Sequence, residues 1–328
     1  MVWYGMPLSL HAYFGYRRQA DGMDWQCDIV GTGGDGHDTY NVSTTSSIIA
    51  SALLLIAKHG NNSSTSLSGS ADLLQHAKPK APVISATTSA TLPQIYEKTN
   101  YAFLYARDWH PGMKHAGPVR KEIPVRTIFN LLGPLANPVH DTGMLECCIL
   151  GVARKDIGQN FAEALRLGGM RKGLVVCGDE NLDEVSCAGP THCWYIREEG
   201  TSVDITKLTI SPSDFGLPEH SLDEVHGGKG PADNAEILMK ILRNELPQDH
   251  PVLQFVLINV AALLTVSGVC EAETSSMGDG DDGKVITEKG PGGLRWKEGV
   301  RRARWCLASG AALKQWDGFV EATNSIGT

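Results

Sequence analysis

Three clusters of residues in this chain have types and spacings that could do chemistry on phosphate. The first is Gly31-Thr32-Gly33-Gly34-Asp35-Gly36, which follows a short apolar run from Asp28 and leads through Thr39-Tyr40-Asn41-Val42-Ser43-Thr44 into a helix. Glycine admits positive φ and lets an anion approach main-chain N–H groups, while Ser43, Thr44 and the positive end of the helix dipole add donors. The second is Lys58-His59-Gly60-Asn61, followed by a loop in which Ser63, Ser64, Thr65, Ser66, Ser68 and Ser70 crowd small donors ahead of another helix start. Either alone reads as a bland turn or a polar linker. Together they suggest two anion-binding loops at adjacent strand ends, where open α/β sheets collect ligands.

The third cluster is acidic: Asp179-Glu180 and Asp183-Glu184 are four acids within six residues. Such a run is ordinarily a hydrated surface, but adjacent carboxylates can also bridge hard Mg²⁺ ions held on phosphates. Taken by itself, Arg120-Lys121-Glu122 reads as an exposed charged helix end. His110 and His115 could line a wall facing the phosphate loops, although a lone histidine is more often structural.

The glycine turn is not one of the common nucleotide loops. Gly31-x-Gly33-x-x-Gly36 has the dinucleotide spacing, but the acid needed about 20 residues on is missing from Ser51 to Gly60. A Walker loop is excluded because no Gly-Lys-Ser/Thr follows the glycines.

These groups must be positioned by the surrounding elements. From Asp28 to Ala86 the pattern predicts strand, loop, helix, strand, loop, helix and strand, with an apolar helix over Ile48–Ile56 and the last strand over Ala81–Ala86. Thr91 to Arg126 is aromatic and helical, broken by Pro111 and Pro118, and is expected as an excursion out of the sheet. Met144–Val152 and Gly173–Cys177 suit buried strands around a helix from Lys155 to Leu167. Cys187–Arg197 and Thr201–Ile210 suit antiparallel strands at the sheet edge, and Ala232–Arg243 and Val252–Thr265 suit helices. Near the C-terminus, Trp296, Val300, Ala303 and Leu307, then Leu313, Trp316 and Val320, form core-facing stripes. Pro251–Val269 is nearly membrane-like, yet Gln254, Asn259, Thr265 and Ser267 interrupt it, so a buried core helix is expected. The Ser275–Lys284 loop, rich in Gly and Asp, lacks calcium-loop spacing and is expected to be a solvated insertion.

The 328 residues allow one large or two modest domains. A net charge of −8 and the absence of long basic runs argue against broad polyanion binding, while leaving room for one local positive pocket. The eight cysteines are scattered without a Cys-x-x-Cys pair, and no signal segment is evident, which suits a reduced, cytoplasmic setting.

Taken in order, GTGGDG (31–36), NVST (41–44), KHGN (58–61) with its serine run and GSAD (69–72), HPGMKHAGPVRKE (110–122), RTIFNLLGPLANP (126–138) and LDEVS (182–186) resemble the anthranilate phosphoribosyltransferase family of tryptophan synthesis. Weaker similarity runs through DFGLP (214–218) to ASGAAL (308–313). The resemblance implies an α/β fold, a mainly parallel central sheet flanked by helices, with a smaller discontinuous helical domain and a homodimer. It implies Mg²⁺-dependent transfer of a phosphoribosyl group from 5-phosphoribosyl 1-diphosphate (PRPP) to the amine of anthranilate, releasing pyrophosphate. On the matching positions, Gly31, Gly34, Asp35, Thr39, Asn41, Val42, Ser43 and Thr44 form one half of the donor site. Lys58, His59, Gly60, Asn61, Ser66 and Ser70 form the other half. Gly31, Asn61, His110 and Arg120 would face anthranilate, Arg120 taking its carboxylate, and Ser43, Asp183 and Glu184 would hold Mg²⁺. No side chain is implied as a catalytic acid or base. The family has Arg where Asn62 stands, and commonly a basic residue where Leu67 stands, which here leaves less positive charge near the donor.

In that family several helices precede the glycine strand, whereas Met1–Gln26 has room for one or two. The resulting expectation is a remnant of the helical domain at 1–27 and the first part of the α/β domain at 28–87. A helical excursion carrying the acceptor site follows at 88–131, then the rest of the α/β domain at 132–328, with the insertion near 275–292. Two other readings share the fold. A pyrimidine nucleoside phosphorylase would carry a Lys-His-Ser-Thr-Gly-Gly type loop, from which Lys58-His59-Gly60-Asn61 departs. A non-catalytic nucleic-acid-binding homologue is opposed by the acidic balance.

Overall fold

In the computed structural model, residues 26–63, 68–112, 115 and 131–327 are described. A seven-stranded sheet runs through them in the order β3-β2-β1-β4-β5-β6-β7. The strands are β1 (Gln26–Gly31), β2 (Leu55–Gly60), β3 (Tyr101–Tyr105), β4 (Leu145–Gly151), β5 (Lys172–Gly178), β6 (Thr191–Glu199) and β7 (Ser202–Ile210). The first five are parallel, and β6 and β7 add on antiparallel. Residues of β1 to β5 are almost all buried, as parallel strands covered by crossover helices must be.

The helices used below are α1 (Val42–Ala50), α2 (Ser70–Gln75), α3 (Leu92–Tyr96), α4 (Ala106–Trp109), α5 (Gly158–Leu167), α6 (Pro231–Leu242), α7 (Pro251–Ser267), α8 (Trp296–Ala308) and α9 (Ala311–Ile326). Helix α7 is the central one, packing on α1, α8, β4 and β5 with every residue from Val252 to Val266 buried. Its length and apolarity answer to this burial, and no described helix is long and apolar enough to cross a membrane. The stripe Trp296, Val300, Ala303 and Leu307 lies in the core as expected, as do Trp316 and Val320.

The order of strands places the site. The chain moves outward from β1 to β2 to β3 and then returns to lay β4 on the other side of β1. Strand order therefore reverses at β1, and the crevice outside the carboxyl ends at such a switch point is where open sheets bind ligands. Strands β1 and β4 stay paired to their ends, Gly31 against Gly151. By contrast β1 and β2 pair only at Gln26↔Leu55 and Cys27↔Ile56. Beyond that point they splay, and polar side chains replace the backbone ladder. Asn137 donates to Asp28 Oδ2 (2.8 Å) and to the Ala57 carbonyl (2.9 Å), and the His59 N–H reaches Asp28 Oδ2 at 3.4 Å.

Several expectations need correction. The apolar run Ile48–Ile56 is not one helix: α1 ends at Ala50, and Leu55 already belongs to β2. A continuous apolar run carries no periodicity that separates a buried helix end from a buried strand. Ala81–Ala86 is not a strand but an irregular segment ending in a short 3₁₀ turn, Ile84–Ala86. The third strand is instead Tyr101-Ala-Phe-Leu-Tyr105, inside the stretch read as an excursion, because aromatic residues suit a pleated buried surface as well as a helix face. The 275–292 loop is mostly exposed, as expected, but has one inward anchor. The Asp281 side chain is 3% exposed and accepts from Met277 N (2.8 Å) and Arg301 Nη1 (3.1 Å). Arg301 in turn bonds the fully buried Glu298. The segments expected in the helical domain, at 1–27 and beyond Pro111, lie almost wholly outside the described residues.

Candidate active site

The glycine loop leaves β1 under tight constraint. Gly33, Gly34 and Gly36 take positive φ, at 69°, 73° and 86°. A Cβ on Gly31 would stand 2.4 Å from Asp183 Oδ2, and one on Gly151 only 1.6 Å from the Asp183 carbonyl oxygen. These two strand-end glycines exist so that the 179–186 loop can lie directly on the ends of β1 and β4. The loop is held there from both sides. The Gly33 N–H donates to Asp183 Oδ2 at 2.5 Å. On the core side, Asn259 of α7 accepts from Val185 N and donates to the Val185 carbonyl, both at 3.0 Å. The polar residue that interrupts the apolar helix is thus the anchor of the acidic loop.

Glu184 faces the start of α1 and Asp183 faces the glycine loop. Glu184 accepts from the Ser43 N–H, at the positive end of the helix dipole. Burial, with the Asp35 carboxyl alongside, pushes Asp183 up to about 7. Burial and the neighbouring Asp183 push Glu184 well above the usual carboxylate range. Among the described residues, the crevice thus concentrates carboxyl oxygens with little cationic charge beside them. Lys58 is the nearby cation, but it is 1% exposed and lies beneath the loops rather than open to them. Its Nζ donates to the His59 carbonyl at 3.0 Å. Burial pushes its pKa down, against the pull of Asp28 and then Glu184. Burial pushes the fully enclosed Asp28 up, opposed by Lys58 and by the donors from Asn137, His59 and Ile29.

The second loop is tied by Asp72. Its carboxylate accepts from Ser63 N (2.8 Å), Gly69 N (3.1 Å) and Asn62 Nδ2 (2.5 Å), closing the loop from both ends. Burial works against ionisation, yet these donors hold the Asp72 carboxyl below its ordinary range. Asn62 also accepts from the Tyr105 hydroxyl. A side chain at Gly60 would meet Phe103 and Ser70 within 3 Å, so β2 brings Ser70 and the start of α2 against its own end. We expect Asp72→Ala to raise the KM for a phosphate-bearing donor about tenfold, since one charged side chain holding three donors is lost. Steady-state kinetics with the donor varied checks this.

A third wall is histidine. His59 and His110, 4% and 7% exposed, meet with Nε2 atoms 3.0 Å apart and rings nearly perpendicular. Burial, then His110 and Lys58, push His59 down to about 3, and burial lowers His110, so both rings are neutral and one donates to the other. The Gly133 carbonyl accepts from His59, which brings the GPLANP segment into the same wall.

Comparisons with known proteins place this arrangement. Residues 24–313 match the profile of the glycosyl transferase family, a/b domain. An anthranilate phosphoribosyltransferase of Schizosaccharomyces pombe is 41% identical over 293 residues, covering 89% of this chain and 73% of the relative. The chain belongs to that family. The anthranilate phosphoribosyltransferase of Saccharomyces cerevisiae, solved in complex with PRPP and Mg, superposes with a TM-score of 0.77 at 33% identity, covering 92% of this chain and 74% of that one. The Thermus thermophilus enzyme superposes at 0.70 with 32% identity, covering 91% and 78%. These likenesses lend nothing to the phosphorylase or the nucleic-acid reading.

The structure brings Gly31, Gly34, Asp35, Thr39 and Asn41 to Thr44 together with Lys58 to Asn61, Ser70, Asp183 and Glu184 at adjoining strand ends. His110 packs against His59. Ser66 and Arg120 lie outside the described residues. Four residues that hold this crevice together were missed by sequence reasoning: Asp28, Asp72, Asn137 and Asn259. The signal was available for two of them, since a charge inside the apolar strand Cys27–Val30 and an amide inside α7 each demand a buried partner. Among the described residues no three His, Cys, Asp or Glu side chains are placed to enclose a metal ion.

Proposed function

We propose that this crevice binds PRPP with Mg²⁺ and transfers its phosphoribosyl group to anthranilate. The observation that carries the reading is the placement of Asp183 and Glu184 over the GTGGDG loop and the N-terminus of α1. The donor set suits Mg²⁺: Asp183, Glu184 and the Ser43 hydroxyl are hard oxygen ligands, and Glu184 already reaches the Ser43 N–H. Bound there, Mg²⁺ supplies charge neutralisation for the diphosphate.

In the transfer, the C1–O bond to pyrophosphate breaks with its electrons passing to the leaving oxygen. The amine lone pair forms the new N–C1 bond, and one amine proton then passes to solvent water. The chain's part is binding and electrostatics: backbone N–H groups of the glycine loop and the α1 dipole hold the diphosphate. Neutral His110 walls the acceptor side, and the neutral His59 it packs against belongs to the donor half, neither adding charge. Arg120 is our assignment for the anthranilate carboxylate. By the family's example we place the assembly as a homodimer, and sedimentation of the purified 35.3 kDa chain as a monomer would refute it.

The test is loss of anthranilate fluorescence on mixing the chain with PRPP and Mg²⁺, beside Asp183→Asn/Glu184→Gln and Arg120→Ala. Turnover should fall at least about tenfold in each variant, the first losing its Mg²⁺ dependence and the second raising the KM for anthranilate. No turnover by the folded parent would overturn the reading. A pH effect follows from the same residues. Because Asp183 and Glu184 must both shed their protons to take a metal, apparent Mg²⁺ affinity should fall by at least about tenfold per pH unit as pH drops below 7. Calorimetric titration with Mg²⁺ from pH 5.5 to 8.5 checks the sign.

A further inference from the structure

We propose that Asn234, on α6 far along the chain from both phosphate loops, is a positioning residue that sets the donor loop through the backbone of Asn41. The inference rests on the transferase reading above and deepens it at a residue the motifs do not include. Asn234 is 2% exposed, and all of its side chain is spent on backbone. Its Oδ1 accepts from Asn41 N at 3.2 Å, while its Nδ2 donates to the carbonyls of Gly227 (2.5 Å) and Gly230 (3.3 Å). Asparagine suits the place because one planar amide offers an acceptor on one side and two donors on the other.

Asn41 is where the donor site is tied together. Its side chain accepts from Thr44 N at 3.3 Å, capping α1, and donates to the Ser68 carbonyl at 3.3 Å, reaching the second loop. Fixing its backbone N–H therefore fixes both phosphate loops at once. The stretch before α6 follows the same course. Tyr40 N donates to the Val225 carbonyl at 2.8 Å, Thr39 bridges to His226, and the His226 ring meets the Asp38 carbonyl at 2.9 Å. Two glycines allow this docking: a Cβ on Gly227 would stand 2.5 Å from the Asn234 amide, and one on Gly228 2.5 Å from Asp233 Cβ. Residues 225–234 thus form a brace laid along 38–41, with Asn234 as its only side chain reaching Asn41 N among the described contacts.

A brace of this kind acts on ground state and transition state of the donor alike, so its loss should appear in donor binding rather than in the chemical step. The experiment uses the full chain with Asn234→Ala and Asn234→Asp. It measures the KM for PRPP and for anthranilate, kcat at saturation, the melting temperature, and calorimetric binding of pyrophosphate with Mg²⁺. The expected result is a PRPP KM raised at least tenfold and pyrophosphate binding weakened in parallel, with the anthranilate KM within twofold and kcat within threefold. Asn234→Asp keeps the acceptor toward Asn41 and should lose less than Asn234→Ala. Unchanged PRPP and pyrophosphate binding, or equal shifts in both KM values tracking a lower melting temperature in both variants, would overturn the inference. A parent chain that binds neither PRPP nor pyrophosphate would instead overturn the transferase reading, so the two failures are distinct.

Discussion

Replacing Gly151 by alanine should reduce transfer to below about one hundredth of the parent rate and destabilise the fold by about 3 kcal/mol. The position is the last residue of β4, and the space a methyl group would need is filled by the backbone carbonyl of Asp183 at 1.6 Å. Backbone cannot rotate aside as a side chain can. The strand end must move or the 179–186 loop must lift, and lifting it breaks the Gly33–Asp183 bond and carries Glu184 off the start of α1. Gly31→Ala is the graded comparison. Its methyl would meet the Asp183 carboxylate at 2.4 Å and the backbone oxygen at 3.0 Å, so it should cost less stability while still displacing the carboxylate. Gly189→Ala, with nothing within 4 Å of the added carbon, is the control and should be nearly silent. Melting curves and Mg²⁺-dependent turnover read the series. A Gly151→Ala protein with parental activity would show that the loop does not need this seat.

Lys58→Met should be the most damaging of the charge substitutions, at about 3–5 kcal/mol, because it strands buried carboxylates. Lys58 and Asp28 are both enclosed, and Asp28 already sits above its ordinary range despite the lysine. Without the ammonium its folded pKa must rise further. A carboxyl raised on folding contributes stability that is present at low pH and lost as pH climbs from about 4 through its folded pKa. The Lys58→Met protein should therefore be closer to the parent at pH 5 than at pH 8. Adding Asp28→Asn should remove the Asp28 share of this pH dependence, leaving that of Glu184, and restore part of the stability. Restoration is partial because an amide at position 28 keeps one acceptor oxygen where the carboxylate takes bonds from Asn137, His59 and Ile29. Activity should not return, since Glu184 still lacks its cation. Denaturant titrations of the four proteins at both pH values complete the cycle, and additive effects of the two substitutions would refute the coupling.

What the sequence by itself determined about this protein is the chemistry that is local. A glycine loop, a capped helix start, a hydroxyl-rich turn and an acidic pair are each written in consecutive residues, because positive φ, helix capping and adjacent carboxylates depend on near neighbours. The α/β alternation and the antiparallel edge were equally legible from apolar runs and their spacing. Apolar and aromatic stretches misled where burial rather than periodicity decides, as at Ile48–Ile56, Ala81–Ala86 and the strand Tyr101–Tyr105. Only the tertiary structure decided how the pieces meet. Gly151 makes room for Asp183, Asn137 repairs the splay between β1 and β2, Asn259 seats the acidic loop, and Asn234 reaches Asn41 across 193 positions. None of these pairs has a sequence signature, because a buried polar group requires a partner in space and is indifferent to where in the chain that partner lies.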